Sequence, residues 1–282
     1  MLAGVLEWVS PALKLKSGTF WIVDDTGFPK KGRHSIGVAR QYCGQLGKQD
    51  NCQVAVSVSL ATVRGSLPIA YRLYLPEEWV NDPVRREQAG VPAEMRFATK
   101  QQIAVEQIRT AKASGVPVGV VLADAGYGND TTFREQLSKL GVRYAVGVQG
   151  STSVWPPGAE PLPPRAKKPI GRPGKLLRRD PHHQPCSVKA LAQGLPARAW
   201  RDVCWREGTN TALRSRFAAV RVRAAHRDYW RTTLREEEWL LIEWPRGQTE
   251  PVKYALSTLP PDIPLKELVR TTMMRWRIER DY

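Results

Sequence analysis

The first half of the chain alternates short apolar runs with longer helical segments. Five runs have the length or the period-two alternation of buried strands, namely residues 19–25, 54–61, 68–75, 116–124 and 143–149. Two intervening segments, 99–114 and 130–140, are predicted to be helices, and a glycine follows each of them. Three strands, a helix, a strand, a helix and a strand in this order predict an α/β fold, with a mixed sheet flanked by helices.

The second half of the chain follows a different pattern. Residues 150–180 are rich in proline, lysine and arginine, which disfavours regular structure. Three later segments have the pattern of antiparallel strands: 216–223, 239–244 and 254–259. We therefore expect three regions. They are a first part of the core (1–149), a basic, strand-rich insertion (150–260) and a C-terminal helix that completes the core (261–282).

The C-terminal helix is predicted from an apolar stripe with helical spacing. The stripe consists of Leu265, Leu268, Val269, Thr272 and Trp276. At 100° per residue, Glu279 falls in the middle of this stripe and is predicted to be buried. A buried carboxylate costs several kcal/mol unless a positive charge meets it, and a metal ion or Arg275 could supply that charge.

Two further acidic residues end apolar strands. Asp24 lies at the end of the first predicted strand, with Asp25 directly after it, and Asp124 is the last residue of the fourth. If these strands are neighbours at the sheet centre, Asp24, Asp124 and Glu279 converge into a site for Mg²⁺ or Mn²⁺, which prefer oxygen ligands. Each acid also has a structural alternative. The aspartates could accept turn N–H groups, and Glu279 could form a surface pair with Arg275.

The charge of the chain points to a polyanionic partner. Its 43 Lys and Arg exceed its 27 Asp and Glu, a formal net charge of +16. Residues 165–231 hold 17 of the basic and 4 of the acidic residues, a net +13, so the charge is concentrated in the insertion. No run approaches the roughly 18 apolar residues of a membrane span, and no signal peptide is recognised, so we expect a cytoplasmic protein without a membrane role. The four cysteines lack paired metal-ligand spacing and are expected to be reduced thiols.

Several basic residues are candidates for DNA contact outside the carboxylate site. Lys30, Lys31 and Arg33 follow the first acidic strand, where they could touch a phosphate. The basic insertion is predicted to follow DNA phosphates, with a solvated charged loop as the alternative. Within it, Arg172, between Gly171 and Pro173, could insert into a narrow minor groove. One of five tryptophans in or beside the insertion could stack on an unpaired base: Trp200, Trp205, Trp230, Trp239 or Trp244.

The acidic motifs carry a family resemblance. Residues 23–32 (VDDTGFPKKG), 38–44 (VARQYCG), 123–128 (ADAGYG) and 276–282 (WRIERDY) resemble the DDE transposases of bacterial insertion sequences. More narrowly, they are similar to the group with a β-strand insertion in an RNase H-like core. The resemblance implies a triad of catalytic metal ligands, with Asp24 preferred over Asp25 as the first, then Asp124 and Glu279.

The same resemblance implies the chemistry and the partners. The reaction would be cleavage at transposon ends followed by strand transfer into target DNA, with two Mg²⁺ or Mn²⁺ ions and a homodimer, in the cytoplasm at the bacterial nucleoid. Arg275 would contact DNA. Thr272 stands where the family usually has Tyr, and the family lysine after the glutamate would lie beyond Tyr282.

We also expect a segment of the family's N-terminal DNA-binding region to be missing, so the activity of this chain is left open. The alternatives are an inactive DNA-binding remnant and another RNase H-like nuclease.

Overall fold

The computed structural model describes residue 4 and residues 18–165, 174–207 and 212–280. Their contacts divide the chain into two compact units, Met1–Val142 with Met274–Tyr282, and Arg143–Met273. The predicted minor-groove residue Arg172 lies outside the described residues. Within the described ranges, no helix is both long and apolar enough to cross a membrane.

The first unit is built on a mixed sheet. Its strands are β1 (Phe20–Pro29), β2 (Ala39–Cys43), β3 (Lys48–Ala61), β4 (Ser66–Leu73) and β5 (Val120–Ala123). β1 pairs antiparallel with β3 and parallel with β5, and the far edge of β3 pairs with both β2 and β4. The first and fourth predicted strands are therefore neighbours, as expected, and the predicted α/β fold class is confirmed.

Helices accompany this sheet. They are α1 (Glu77–Val80), α2 (Pro83–Gln88), α3 (Lys100–Ala113), α4 (Ala125–Gly128) and α5 (Thr131–Lys139). A capping box formed by Thr99 and Gln102 begins α3, and the Asp130 carboxylate caps α5. Ile103 and Ile108 of α3 are buried in the core, and Trp21, Ile22 and Val23 of β1 are fully buried. A continuous apolar run is what a central strand with both faces covered requires. The sequence did not predict β2, α1 or α2.

The first strand does not end at Asp24, contrary to the sequence prediction. It continues to Pro29, because β3 supplies backbone partners as far as Cys52. Only the parallel partner stops early, since β5 pairs with β1 from Phe20 to Ile22 and ends at Ala123. Asp24 therefore lies within a strand, just past the point where one of its two neighbours ends.

The C-terminal segment is not one continuous α-helix. Helix α7 (Leu265–Met273) belongs to the second unit and buries Leu268 and Val269 as predicted, but Met274–Arg280 is a 3₁₀ segment of the first unit. A 3₁₀ turn advances about 120° per residue instead of about 100°. Ile278 consequently takes the fully buried position, and Glu279 is exposed. The prediction that Glu279 lies on a buried face was wrong.

The second unit is an antiparallel assembly. Its strands are β6 (Tyr144–Val148), β7 (Ser153–Trp155), β8 (Cys186–Ser187), β9 (Arg201–Glu207), β10 (Ala212–Ala224), β11 (Glu238–Glu243) and β12 (Lys253–Ser257). The order is β6-β12-β11-β10, the long β10 also pairs with β7 and β9, and β7 pairs with β8. Helices α6 (Val188–Gly194) and α7 complete this unit. The three strands predicted beyond residue 210 are confirmed.

A buried ion pair holds part of the second unit together. Asp228 is only 2% exposed and accepts hydrogen bonds from Trp155 Nε1 at 2.5 Å and Arg179 Nε at 2.9 Å. Arg179 also donates to the Ala225 carbonyl. The pair thereby ties the segment around Arg179 to β7 and to the turn after β10. Removing one partner of a buried pair leaves the other charge uncompensated.

We therefore expect Asp228→Ala to lower the free energy of unfolding by about 3–5 kcal/mol, measured by urea denaturation. Asp202→Ala is the matched control, because Asp202 pairs with Arg246 on the surface and such pairs contribute little. Equal effects of the two substitutions would contradict a structural role for the buried pair.

Candidate carboxylate site

Asp24 lies on β1 at the position where the parallel neighbour β5 has ended. Its side chain is 15% exposed, and its Oδ1 accepts the Asp25 backbone N–H at 2.9 Å. Because β1 is paired with β3 on its other side, the strand is rigidly held here although one edge is open. The sheet thus fixes this carboxylate without covering it completely.

Asp124 is the residue that directly follows β5, and it caps the short helix α4. Its Oδ1 accepts the backbone N–H groups of Gly126 at 2.9 Å and Tyr127 at 3.4 Å. Gly126 permits this close approach, because a Cβ there would stand 3.1 Å from Asp124 Oδ1. Asp124 therefore does accept turn N–H groups, as the structural alternative predicted. These contacts engage Oδ1, and the side chain remains 44% exposed.

Arg275 brings the three predicted acids together. One terminal nitrogen of its guanidinium lies 3.7 Å from Asp24 Oδ2 and 3.8 Å from Asp124 Oδ2. The other terminal nitrogen lies 3.7 Å from Glu279 Oε1, although the Glu279 side chain is 69% exposed. These separations exceed hydrogen-bond length, so the contacts are ion pairs. Among the described residues, the buried Nε of Arg275 has no hydrogen-bond partner.

The carboxylates surround the guanidinium and do not converge on an empty point. In the part of the chain that the structure describes, no three Asp, Glu, His or Cys side chains are grouped closely enough to hold a metal ion. The donors are nonetheless the hard oxygen ligands that Mg²⁺ and Mn²⁺ take, and a cationic group already stands between them. The donor set therefore fits a divalent cation in chemistry, provided that Arg275 moves.

The pKa of Asp24 is raised from its ordinary value of 3.8 to about 6, chiefly by burial. The neighbouring carboxylates of Asp124 and Asp25 also act to raise this pKa, while Arg275 and the Asp25 backbone N–H act to lower it. Since the pKa remains above its ordinary value, the Arg275 charge only partly offsets the cost of ionising Asp24. A cation of higher charge would offset more of that cost.

Asp25 is engaged elsewhere. Its carboxylate forms an ion pair with the Lys100 ammonium at the start of α3, and both side chains are largely buried, at 25% and 28% exposure. Consecutive strand residues point to opposite faces, which explains why Asp24 and Asp25 have different partners. Between the two candidates for first metal ligand, the geometry brings Asp24 to Asp124.

Lys30, Lys31 and Arg33, which are also predicted to contact DNA, belong to the same unit as the carboxylates. Lys31 and Arg33 are exposed, and Lys30 is half-buried. The backbone of this loop is fixed, because Asn51 Nδ2 donates to the carbonyls of Lys30 at 2.8 Å and Gly32 at 2.9 Å. These cationic side chains therefore extend from a well-anchored loop.

The five candidate tryptophans separate by exposure. Trp230 is 60% exposed, and the other four are half-buried. Trp200 and Trp244 pack edge to face at 5.4 Å, with the Arg216 guanidinium over both rings. Trp230 is thus the one of the five that presents most of its ring to solvent.

The cysteines and histidines provide no alternative site. All four cysteines are free, and Cys43 and Cys52 are buried. His183 contacts the Glu160 carbonyl through Nε2 at 2.6 Å and packs on the Trp155 ring. The described contacts of the His183 ring are therefore with Glu160 and Trp155.

The sequence predicted the helix over 99–114 correctly but did not identify its first residues as neighbours of the carboxylate site. Besides the Lys100–Asp25 pair, Gln101 Nε2 donates to the Gly126 carbonyl at 2.8 Å, next to Asp124. The capping box of Thr99 and Gln102 marks only where the helix begins. Nothing in the local sequence shows what Lys100 and Gln101 contact.

Comparisons relate the chain to known proteins. A family model described as DDE superfamily endonuclease matches residues 2–212, which include Asp24 and Asp124 but not Glu279. A protein described as "Probable transposase for insertion sequence element IS701", from Microchaete diplosiphon, is 35% identical over 131 residues, 46% of this chain and 32% of that protein. The chain thus spans about a third of that relative's length.

Among solved structures, the NurA nuclease from Sulfolobus solfataricus aligns with 96% of this chain and 81% of its own, at 8% identity and a TM-score of 0.36. A likeness of that degree supports no conclusion about function.

The raised pKa of Asp24 predicts a pH-dependent stability. Well below the ordinary pKa of 3.8, the carboxyl is protonated in both the folded and the unfolded state, so its pKa shift contributes nothing. Between the two pKa values the folded state keeps a proton that the unfolded state loses, so stability falls as pH rises. Above pH 6 the full cost applies, and it corresponds to about 2–3 kcal/mol.

We therefore expect Asp24→Asn to raise the melting temperature of the metal-free protein at pH 7.5 and to leave it unchanged at about pH 3. Calorimetry at both pH values, with a chelator present, measures this. The exposed Asp262 provides the control variant, Asp262→Asn. A lower melting temperature of Asp24→Asn at pH 7.5 would show that the Arg275 attraction outweighs burial.

Proposed function

Because the chain belongs to the DDE superfamily endonucleases, we propose that it hydrolyses DNA phosphodiester bonds at Asp24, Asp124 and Glu279 as the catalytic part of an insertion-sequence transposase. The observation that supports this proposal is the gathering of all three acids around the Arg275 guanidinium. Carboxylates that served only to accept hydrogen bonds in turns or to form surface ion pairs would not be expected to surround one guanidinium. The transposase-like relative supports the biological role.

Divalent metal ions are part of the proposal, since the family generally uses them. Asp24, Asp124 and Glu279 would hold Mg²⁺ or Mn²⁺, and we propose two ions. Such ions lower the pKa of bound water and neutralise charge on a phosphate. Asp24 is suited to a ligand role because it is held rigidly on β1, and Asp124 because its Oδ1 contacts fix the side chain.

Arg275 would have two roles in this function. Without metal it reduces the repulsion among the acids, because its guanidinium lies within ion-pair distance of all three. When metal binds, the guanidinium would turn to the DNA backbone, which it can bind through two parallel hydrogen bonds. Lys30, Lys31 and Arg33 would contact further phosphates of the same strand.

Strand transfer follows from the same site chemistry. After hydrolysis frees a 3′-OH, that hydroxyl would attack a phosphodiester of target DNA, and the released 3′ oxygen of the target would be the leaving group. DNA ends and target DNA are therefore the proposed partners. We further propose that a homodimer would hold the two transposon ends.

A second candidate function is DNA binding without cleavage. It is favoured by the exposure of Glu279 and by the position of Arg275 between the acids. The basic second unit would then carry most of the DNA affinity, because residues 165–231 hold a net +13. Cleavage distinguishes the two functions.

We expect the chain to nick supercoiled plasmid in the presence of Mn²⁺, and Asp124→Asn to reduce nicking at least about 100-fold, because a metal-ligating oxygen is lost. Gel analysis of the plasmid measures this. Asp202→Asn, in the second unit, is the control and should nick like the unchanged protein.

Nicking that survives in Asp124→Asn would show that a contaminant or another site is responsible. DNA binding without any nicking would replace the catalytic proposal with the binding function.

A further inference from the structure

We propose that the start of helix α3 is part of the catalytic centre, with Lys100 binding a phosphate of the DNA and Gln101 positioning the Asp124 loop. This inference rests on the proposed function and extends it to a substrate-binding residue. Two consecutive side chains carry it. The Lys100 ammonium pairs with Asp25, adjacent to Asp24, and Gln101 Nε2 reaches the Gly126 carbonyl, two residues after Asp124.

The sheet register places Lys100 and Arg275 on opposite faces of β1. Asp25, Val56 and Arg72 form one cross-strand row. Helix α3 covers that row, since its residue Glu106 pairs with Arg72 and its Gln107 donates to the Val56 carbonyl. Asp24 points to the other face, toward Arg275.

A cation therefore stands on each side of β1 where the parallel partner β5 has stopped. That is the edge at which Asp24 and Asp124 meet. In our proposal, a DNA strand passes this open edge with one phosphate at the carboxylates and a neighbouring phosphate at Lys100.

Lys100 occupies a position that helix stability disfavours. It is the first residue of α3, where a positive charge opposes the helix dipole, and the first turn contains no acidic residue. Residues that violate a local rule are expected at functional sites. An anionic ligand at this helix start would be favoured both by the Lys100 ammonium and by the dipole of a 14-residue helix.

The ion pair with Asp25 prepares Lys100 for this role. An ammonium has three N–H donors, and among the described residues one carboxylate oxygen, Asp25 Oδ2, pairs with it. The side chain is 28% exposed, so solvent reaches part of the ammonium. The Lys100 Nζ also lies 5.7 Å from the centroid of the Tyr74 ring, a distance at which the ring attracts a cation. Asp25 thus holds the cation in one place while leaving donors for a phosphate.

Gln101 acts through the backbone of the Asp124 loop. The Gly126 carbonyl accepts a hydrogen bond from Gln101 Nε2, and the Gly126 N–H donates to Asp124 Oδ1. Gln101 is therefore a positioning residue, because it restrains the loop whose N–H groups orient the Asp124 carboxylate.

The salt dependence of DNA binding tests the Lys100 contact independently of cleavage. One Lys–phosphate contact contributes about 0.9 to the slope of log K against log salt on duplex DNA. We expect Lys100→Met to reduce the magnitude of that slope by about one on a duplex of fixed length, about 30 bp. We expect Lys100→Arg to keep the slope, since a cation is retained.

Lys112 provides the matched control, because it lies in the last turn of the same helix and donates to the Leu140 carbonyl. Lys112→Met should leave the slope unchanged. Nicking in Mn²⁺ should fall about 10- to 100-fold in Lys100→Met, as expected for the loss of one charged hydrogen bond. Lys100→Arg should restore it to within a few-fold.

An unchanged slope in Lys100→Met would overturn the proposal, whatever the nicking result. So would a fall in the melting temperature that Lys100→Arg fails to rescue, which would show that Lys100 only stabilises the fold. If Lys100→Met does not fold, Lys100→Gln, which can still hydrogen-bond to Asp25, carries the same test. A changed slope without nicking in any variant would leave the Lys100 contact standing and would refute the catalytic function alone.

Discussion

The candidate site of the first unit depends on the attraction between the Arg275 guanidinium and the carboxylates of Asp24, Asp124 and Glu279. The sheet holds Asp24 in a largely buried position. Burial disfavours its ionised form, and repulsion from Asp124 disfavours that form further. Arg275 offsets part of this cost, and the pKa of Asp24 stays near 6. Because this offset is incomplete, further positive charge beside Asp24 would stabilise its ionised form. Under the proposed function, a divalent cation would supply this positive charge and would in turn bind the phosphates of DNA.

The sheet creates the site by ending one strand before its neighbour. β5 stops at Ala123 while β1 continues along β3 to Pro29. The open edge of β1 leaves room for the Asp24 and Asp124 carboxylates to face the same cation. Because successive residues of β1 point to opposite faces, Asp25 is directed to Lys100 on α3. The same strand thus supports two cations without placing them in contact.

Much of the first unit was predictable from the sequence, because its signals are local. Apolar runs gave the central strands, glycines marked the helix ends, and strand order brought Asp24 and Asp124 together. The rest depends on partners distant in sequence. β1 extends past Asp24 only because β3 provides partners, and Lys100 lies 75 residues from the Asp25 carboxylate it binds. Glu279 was misplaced because a periodicity of 3.6 was extended into a 3₁₀ segment.

Direct measurement of Mn²⁺ binding tests the site most directly. Calorimetric titration of the metal-free protein should show binding that is lost in both Asp24→Asn and Asp124→Asn. Asp25→Asn should retain it, because the Asp25 carboxylate serves Lys100. Binding that survives in Asp24→Asn and Asp124→Asn, or that depends on Asp25 instead of Asp24, would contradict the assignment of these carboxylates as a cation site.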